Sequence, residues 1–175
     1  RRQRQMCIRD RMREAGKRLA HVHQELEAMI APGISTWEID AKGEKLIRDC
    51  GCIPNFLHYN GYPASICVSV NDEVVHGIPR KDRYLKEGDI VSLDAGLIYE
   101  GYHSDAARTH AVGEISPEAR KLVEVTRQAF FEGIKYAKAG HHLHEISAAI
   151  GAYAESFGYG VVRDLVGHGI GTHPV

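Results

Sequence analysis

No stretch of this 175-residue sequence is apolar for long enough to span a bilayer, and the N-terminal RRQRQMCIRDR lacks the apolar core of a signal peptide. Neither sign of charge is in excess. The 22 Lys and Arg against 23 Asp and Glu leave a formal net charge of -1 at pH 7, which argues against a chain-wide nucleic-acid or membrane-surface binder. Cysteine is scarce, with residues only at 7, 50, 52 and 67, and the C-x-C spacing matches neither a zinc knuckle nor a disulfide framework. Reduced thiols and a cytoplasmic setting are the expectation. What is present is ordinary for one soluble globular domain: 43% hydrophobic and 26% charged residues, on a chain long enough to bury a core. The eleven histidines are the unusual count, and they raise the prospect of metal chemistry.

The basic residues 1–11 show no apolar period and read as a leader outside the fold, with the domain running from 12 to 175. From Met12 a helical stripe appears in Leu19, Val22, Leu26, Met29 and Ile30, stopped by Pro32 and Gly33. Ser35 and Glu38 form a capping box that opens a second helix to about Asp49. Ile66, Val68 and Val70 alternate with Cys67 and Ser69 as a strand, turned by Asn71 and Asp72. Residues 89–99 and 102–112 read as a hairpin. Ser116 with Pro117 starts a third helix, a fourth covers 143–157, and a last strand is expected near 160–166. At an offset of 107 residues the pattern repeats: Gly33 aligns with Gly140, Glu38 with Glu145, Ile39 with Ile146 and Gly51 with Gly158. Duplicated helix–turn–helix–strand units imply an α+β fold of two pseudosymmetric halves, helices covering one face of a sheet.

The hairpin 88–112 carries the chemistry. Asp94 interrupts an apolar strand and Asp105 lies on the returning one. A tip at Tyr99 and Glu100 pairs 94 with 105. A tip at Glu100 and Gly101 pairs Asp94 with Ala107 and sets Asp105 one diagonal step away. Both registers put the two carboxylates on one face, where like charges repel and burial is costly. A divalent cation between them would resolve the conflict. Solvated residues on an open face, or a carboxyl pair sharing a proton, are the other readings. His168, flanked by glycines in VGHGIG, and His76, before a Gly/Pro turn, are further candidates, each with a loop-histidine alternative. His141, His142 and His144 read as a solvated surface cluster.

Taken together, MREAGKRLA at 12–20, NGYPASICVSVNDEVVHGIP at 60–79, EGDIVSLDAGLIYEGYHSDAART at 87–109 and VGHGIG at 166–171 resemble the type I methionine aminopeptidases, in family order and spacing. The resemblance implies the pita-bread fold, with a mostly antiparallel sheet covered by helices, and a centre of two divalent ions (cobalt, manganese, iron or zinc). It implies hydrolysis of the first peptide bond, which removes the initiator methionine from nascent polypeptides, by a monomer working in the cytoplasm at the ribosome, with no membrane and no direct nucleic-acid contact. Asp94, Asp105 and His168 match the first three of five metal ligands: Asp94 on one ion, Asp105 bridging, His168 on the other. His76 matches a histidine near the scissile bond, and Tyr59, Tyr62 and Cys67 match the methionine pocket. A thiol and aromatic edges suit a thioether, although Cys67 also reads as a plain buried hydrophobe. The family's two glutamate ligands and later strands have no counterpart up to Val175, so this polypeptide is expected to be an inactive fragment. A further family histidine would fall at Val175, and His173 inherits no role. A same-fold Xaa-Pro dipeptidase or aminopeptidase, or a non-catalytic module, are the alternatives.

Overall fold

A computed structural model describes residues 2–174. Two compact units divide them, one of residues 1–115 with 170–175 and one of 116–169. In the first, helices α1 (Arg2–Glu27) and α2 (Thr36–Asp49) precede strands β1 (Ile53–Pro54), β2 (Ile66–Val70), β3 (Ile90–Tyr99) and β4 (Tyr102–Ala111). In the second, α3 (Pro117–Ile134) and α4 (Leu143–Ser156) pack together. Among the described residues no helix is long and apolar enough to cross a membrane, and the four cysteines are free.

The long central strand β3 organises the sheet. It pairs antiparallel with β4 along one edge, and with β1 and β2 in succession along the other. Odd-numbered residues Val91, Leu93, Ala95 and Leu97 are fully buried, and they face the side that α1 and α2 cover. Leu19, Val22 and Leu26 of α1 with Ile39 and Ile47 of α2 complete that core. At about 25 cal/mol per Å², each such side chain contributes about 1.5–3 kcal/mol when buried. Even-numbered Ser92, Asp94 and Gly96 point to the opposite face, as strand alternation demands.

The helix–turn–helix part of the repeat is realised, and the second copy's strand is not. Helix α4 occupies the positions of α2 shifted by 107, and each follows a glycine at φ +93, Gly33 and Gly140. Ser35 N–H donates to Glu38 at 2.8 Å and His142 N–H to Glu145 at 2.6 Å. Both helices end in a Schellman motif. Gly51 and Gly158 turn left-handed, and the residues after them, Cys52 and Tyr159, donate back to Ile47 and Ala154. One packing detail is exchanged between the copies. A Cβ on Gly43 would meet Leu26 and Ile66, whereas in the second unit Gly133 (aligned with Leu26) receives Ile150 (aligned with Gly43).

Two expectations are corrected. Helix α1 begins at Arg2, not Met12, because residues 2–11 contain neither Gly nor Pro and are mostly good helix formers. Arg11 of the expected leader pairs with Glu100 at the hairpin tip, 3.1 Å apart; Arg1 lies outside the described residues. The strand expected at 160–166 does not form. Those residues are turn and coil, with Val162, Leu165 and Val166 exposed, and among the described residues of that unit no strand exists to pair with them. Without a ladder an apolar run has no reason to stay extended.

Candidate active site

The hairpin tip is Glu100 and Gly101, so Asp94 pairs with Ala107 and Asp105 with Gly96. This is the second of the two registers considered, and it puts both carboxylates on the face away from the helices. There they come within hydrogen-bonding reach of each other, and Asp94 Oδ1 is buried with no donor to satisfy it. Burial first, then the neighbouring Asp105 charge, pushes the Asp94 carboxyl up to about 7. One proton shared by the pair, or one divalent cation, removes the repulsion. The donor set, two oxygens with an orphaned buried lone pair, fits a hard or borderline cation. Among the described residues no cluster of three or more His, Cys, Asp or Glu comes close enough to hold an ion, so the two aspartates stand as a pair.

The rest of the face is built around them. Cys67 on β2 pairs directly with Asp94 and is 4% exposed. Burial chiefly, with Asp94 and Asp105 adding to it, pushes its thiol up to about 11 even though Tyr62 hydrogen-bonds to it. It is a neutral, soft wall at neutral pH. The Tyr62 hydroxyl lies 3.0 Å from the Ile66 carbonyl and 3.2 Å from that of Gly77, which ties the 59–62 segment to β2 and to the His76 loop. Burial raises that phenol well above its ordinary value, so it stays protonated. Tyr59 starts a short 3-10 turn (Tyr59–Gly61) and is exposed.

His76 is exposed and held at φ +57, a conformation uncommon for a side chain with a Cβ. Its neighbour forces this. Gly77 lies so close to β2 that a Cβ there would sit 2.2 Å from the Val68 carbonyl oxygen. Gly77 N–H donates to Ser69 Oγ at 2.9 Å, and its carbonyl accepts from Val68 N–H at 2.9 Å. The structure therefore brings together Asp94, Asp105, Cys67 and Tyr62, with His76 anchored next to Gly77. His168 falls in the other unit. It is exposed there, with Nδ1 3.0 Å from the Gly169 carbonyl oxygen. His141, His142 and His144 form an exposed cluster at the start of α4, with His141 Nδ1 3.1 Å from Glu145.

Three residues escaped the sequence reading. Asp40 of α2 is largely buried and accepts from Ser65 and Ile66 N–H, both at 2.8 Å, fixing the start of β2 just before Cys67. The signal was available: Asp40 sits on the buried stripe of Thr36, Ile39, Gly43 and Ile47. Asn55 and His103, 3.2 Å apart and buried, extend the polar face beyond Asp105. Asn55 also packs against Gly96, where a Cβ would lie 2.1 Å from its Oδ1. Nothing in the local pattern around Asn55 marks it.

The model of metallopeptidase family M24 matches residues 10–175. The chain belongs to metallopeptidase family M24. A methionine aminopeptidase of Clostridium acetobutylicum is 54% identical over 160 residues, covering 91% of this chain and 64% of that protein. Methionine aminopeptidase 1 of Bacillus subtilis is 51% identical with the same coverage. The crystal structure of the Thermotoga maritima methionine aminopeptidase superposes with a TM-score of 0.91 at 41% identity, over 94% of this chain and 66% of that one. The chain thus spans about two thirds of these relatives' length. An Xaa-Pro dipeptidase from Bacillus anthracis shares the fold at TM-score 0.77 and 27% identity. The M24 fold in this chain is the α+β, pita-bread type expected, with helices covering an antiparallel sheet.

Proposed function

We propose that this M24 chain carries the substrate face and part of the metal centre of a methionine aminopeptidase, which hydrolyses the bond after an N-terminal methionine. The observation that carries this reading is the adjacent pair Asp94 and Asp105, with an unsatisfied buried oxygen, set directly against Cys67 and Tyr62. In this reading Asp94, Asp105 and His168 would hold divalent ions. The ions, when bound, supply Lewis acidity toward the methionyl carbonyl and neutralise the two aspartates. Cobalt, manganese, iron and zinc all suit such donors.

The chain's own residues do the rest. The neutral thiol of Cys67 and the ring of Tyr62 line an apolar wall for the thioether, and exposed Tyr59 forms its rim. His76, held rigidly on its strained turn, donates to the substrate next to the scissile bond. The substrates are the N-termini of nascent polypeptides, met by a monomer at the ribosome; the four free thiols suit a reducing cytoplasm. The relatives named methionine aminopeptidase are far more similar to this chain than the Xaa-Pro dipeptidase is, which favours methionine over an Xaa-Pro substrate.

Three of the family's five ligands are matched here, so the test uses a chimera in which the C-terminal third of the Clostridium acetobutylicum relative follows this chain. With cobalt or manganese added, it is expected to release methionine from Met-Gly peptides and leave Ala-Pro peptides intact. Cleavage of Ala-Pro in preference, or Met-Gly turnover that survives Asp94→Asn, would overturn the assignment.

A further inference from the structure

Cys50 and Cys52 flank Gly51 in the Schellman turn that joins α2 to β1, and neither belongs to the acidic face. Cys50 is the C-cap residue of α2, half-buried, with Sγ 3.1 Å from the Ile47 carbonyl oxygen. Cys52 is 5% exposed, with Sγ 3.7 Å from the Cys50 carbonyl oxygen. Gly51 at φ +74 reverses the chain, and two backbone bonds lock the reversal: Gly51 N–H to Arg48 at 2.9 Å and Cys52 N–H to Ile47 at 3.1 Å. A guanidinium completes the turn. Arg18 donates to the Cys50 carbonyl, stacks over Tyr99 with 4.2 Å to the ring centroid, and pairs with Glu14 at 3.0 Å. A half-exposed thiol, a buried thiol two residues on and a fixed cation are the parts of a thiol–disulfide exchange site.

We propose that Cys50 and Cys52 form a reversible dithiol that exchanges with low-molecular-weight disulfides, Cys50 as the attacking thiol and Cys52 as the resolving one. In the first step the Cys50 thiolate attacks one sulfur of the external disulfide. The external S–S bond breaks, one small thiol leaves with a proton, and a mixed disulfide remains on Cys50. In the second, Cys52 gives up its proton and its sulfur attacks that of Cys50, releasing the second small thiol and closing a Cys50–Cys52 bond. Two electrons and two protons pass to the external disulfide, which ends as two thiols. Burial, and then the Cys50 thiol, push the Cys52 thiol up to about 12. Cys52 therefore does not react with solvent disulfides by itself, and the Arg18 cation beside it favours the thiolate when Cys50 presents a leaving group. A ring spanning three residues is strained, which places this disulfide among the readily reduced, labile kind rather than the structural kind.

The test is performed on the 175-residue polypeptide with Cys7→Ser, which removes the exposed thiol. After incubation with excess oxidised glutathione, free thiols are alkylated and the chain is mapped by mass spectrometry. The expected product has lost two hydrogens, links Cys50 to Cys52 in one peptide, retains no glutathione, and reopens in excess reduced glutathione. With Cys52→Ser, one glutathione stays on Cys50; with Cys50→Ser, Cys52 takes up none. Protection of buried Cys67 from alkylation reports that each variant is folded. A glutathione adduct that persists on Cys50 while Cys52 remains free, or alkylation of Cys50 after the oxidant, overturns the proposal.

Discussion

Replacing Asp94 by Asn tests whether an unneutralised carboxyl is stored on the acidic face of the sheet. Burial and the adjacent Asp105 raise the Asp94 carboxyl from the ordinary range near 4 to about 7. A rise of that size corresponds to about 4 kcal/mol. Between those two pH values the folded chain binds more protons than the unfolded one, so this group's contribution to stability is intact below about pH 4 and is lost as pH rises to about 7. Asparagine has the same shape and no charge to lose. The stability of Asp94→Asn relative to the parent should therefore climb by up to about 4 kcal/mol between pH 4 and pH 7 and then level off. The assay is urea unfolding of both metal-free chains, in chelator, from pH 4 to 8. Taking the difference cancels the buried histidines His23, His103 and His110, whose values burial lowers in both proteins. A divalent ion added at pH 8 should stabilise the parent and not the variant. A flat difference across the range, or a variant less stable than the parent at pH 8, would refute the reasoning.

Other perturbations read other parts of the molecule. His23 is 1% exposed and donates to the Ala106 carbonyl at 2.8 Å, and burial depresses its ionisation. Its share of stability should hold above about pH 6.5 and fall away below it, so the advantage of the parent over His23→Gln, followed by unfolding at pH 7.5 and 5, should shrink at the lower pH. Gly77→Ala forces a methyl onto the Val68 carbonyl and should cost at least about 1–3 kcal/mol in urea melts. Gly43→Ala collides with Ile66 Cγ1 at 2.4 Å and Cδ1 at 2.7 Å, and Ile66→Val in the same chain, which removes Cδ1, should recover part of the loss; strictly additive effects would show that the two do not share that space. In the active chimera, His76→Ala should lower methionine release on the order of a hundredfold while leaving metal affinity, measured by calorimetry, nearly unchanged.

What was legible in the sequence had a local cause. The capping box at Ser35, the glycine stops, and the hairpin with its two aspartates each follow from contacts within a few residues, and each appears within a residue or two of where the pattern put it. The shared face of Asp94 and Asp105 survived ignorance of the register, because both candidate tips preserve parity. What failed depended on distant partners. Residues 160–166 have the apolar content of a strand, but strand formation needs a neighbour. The start of α1 was obscured because its first residues carry no apolar period.

The same distinction explains why the metal reading needed both chemistry and fold. Asp94 was recognisable as an expensive residue in an apolar strand, but the partners that fix its surroundings come from elsewhere: Cys67 from β2, and Asn55, over Gly96, from the segment after β1. Asp40 shows the reverse relation. Its carboxylate never reaches the acidic pair. It holds the two amides that open β2, and β2 in turn sets Cys67 opposite Asp94 and, through Ser69 and Val68, anchors Gly77 beside His76. One helix-borne acid thus fixes the register in which three separate sequence motifs meet on a single face.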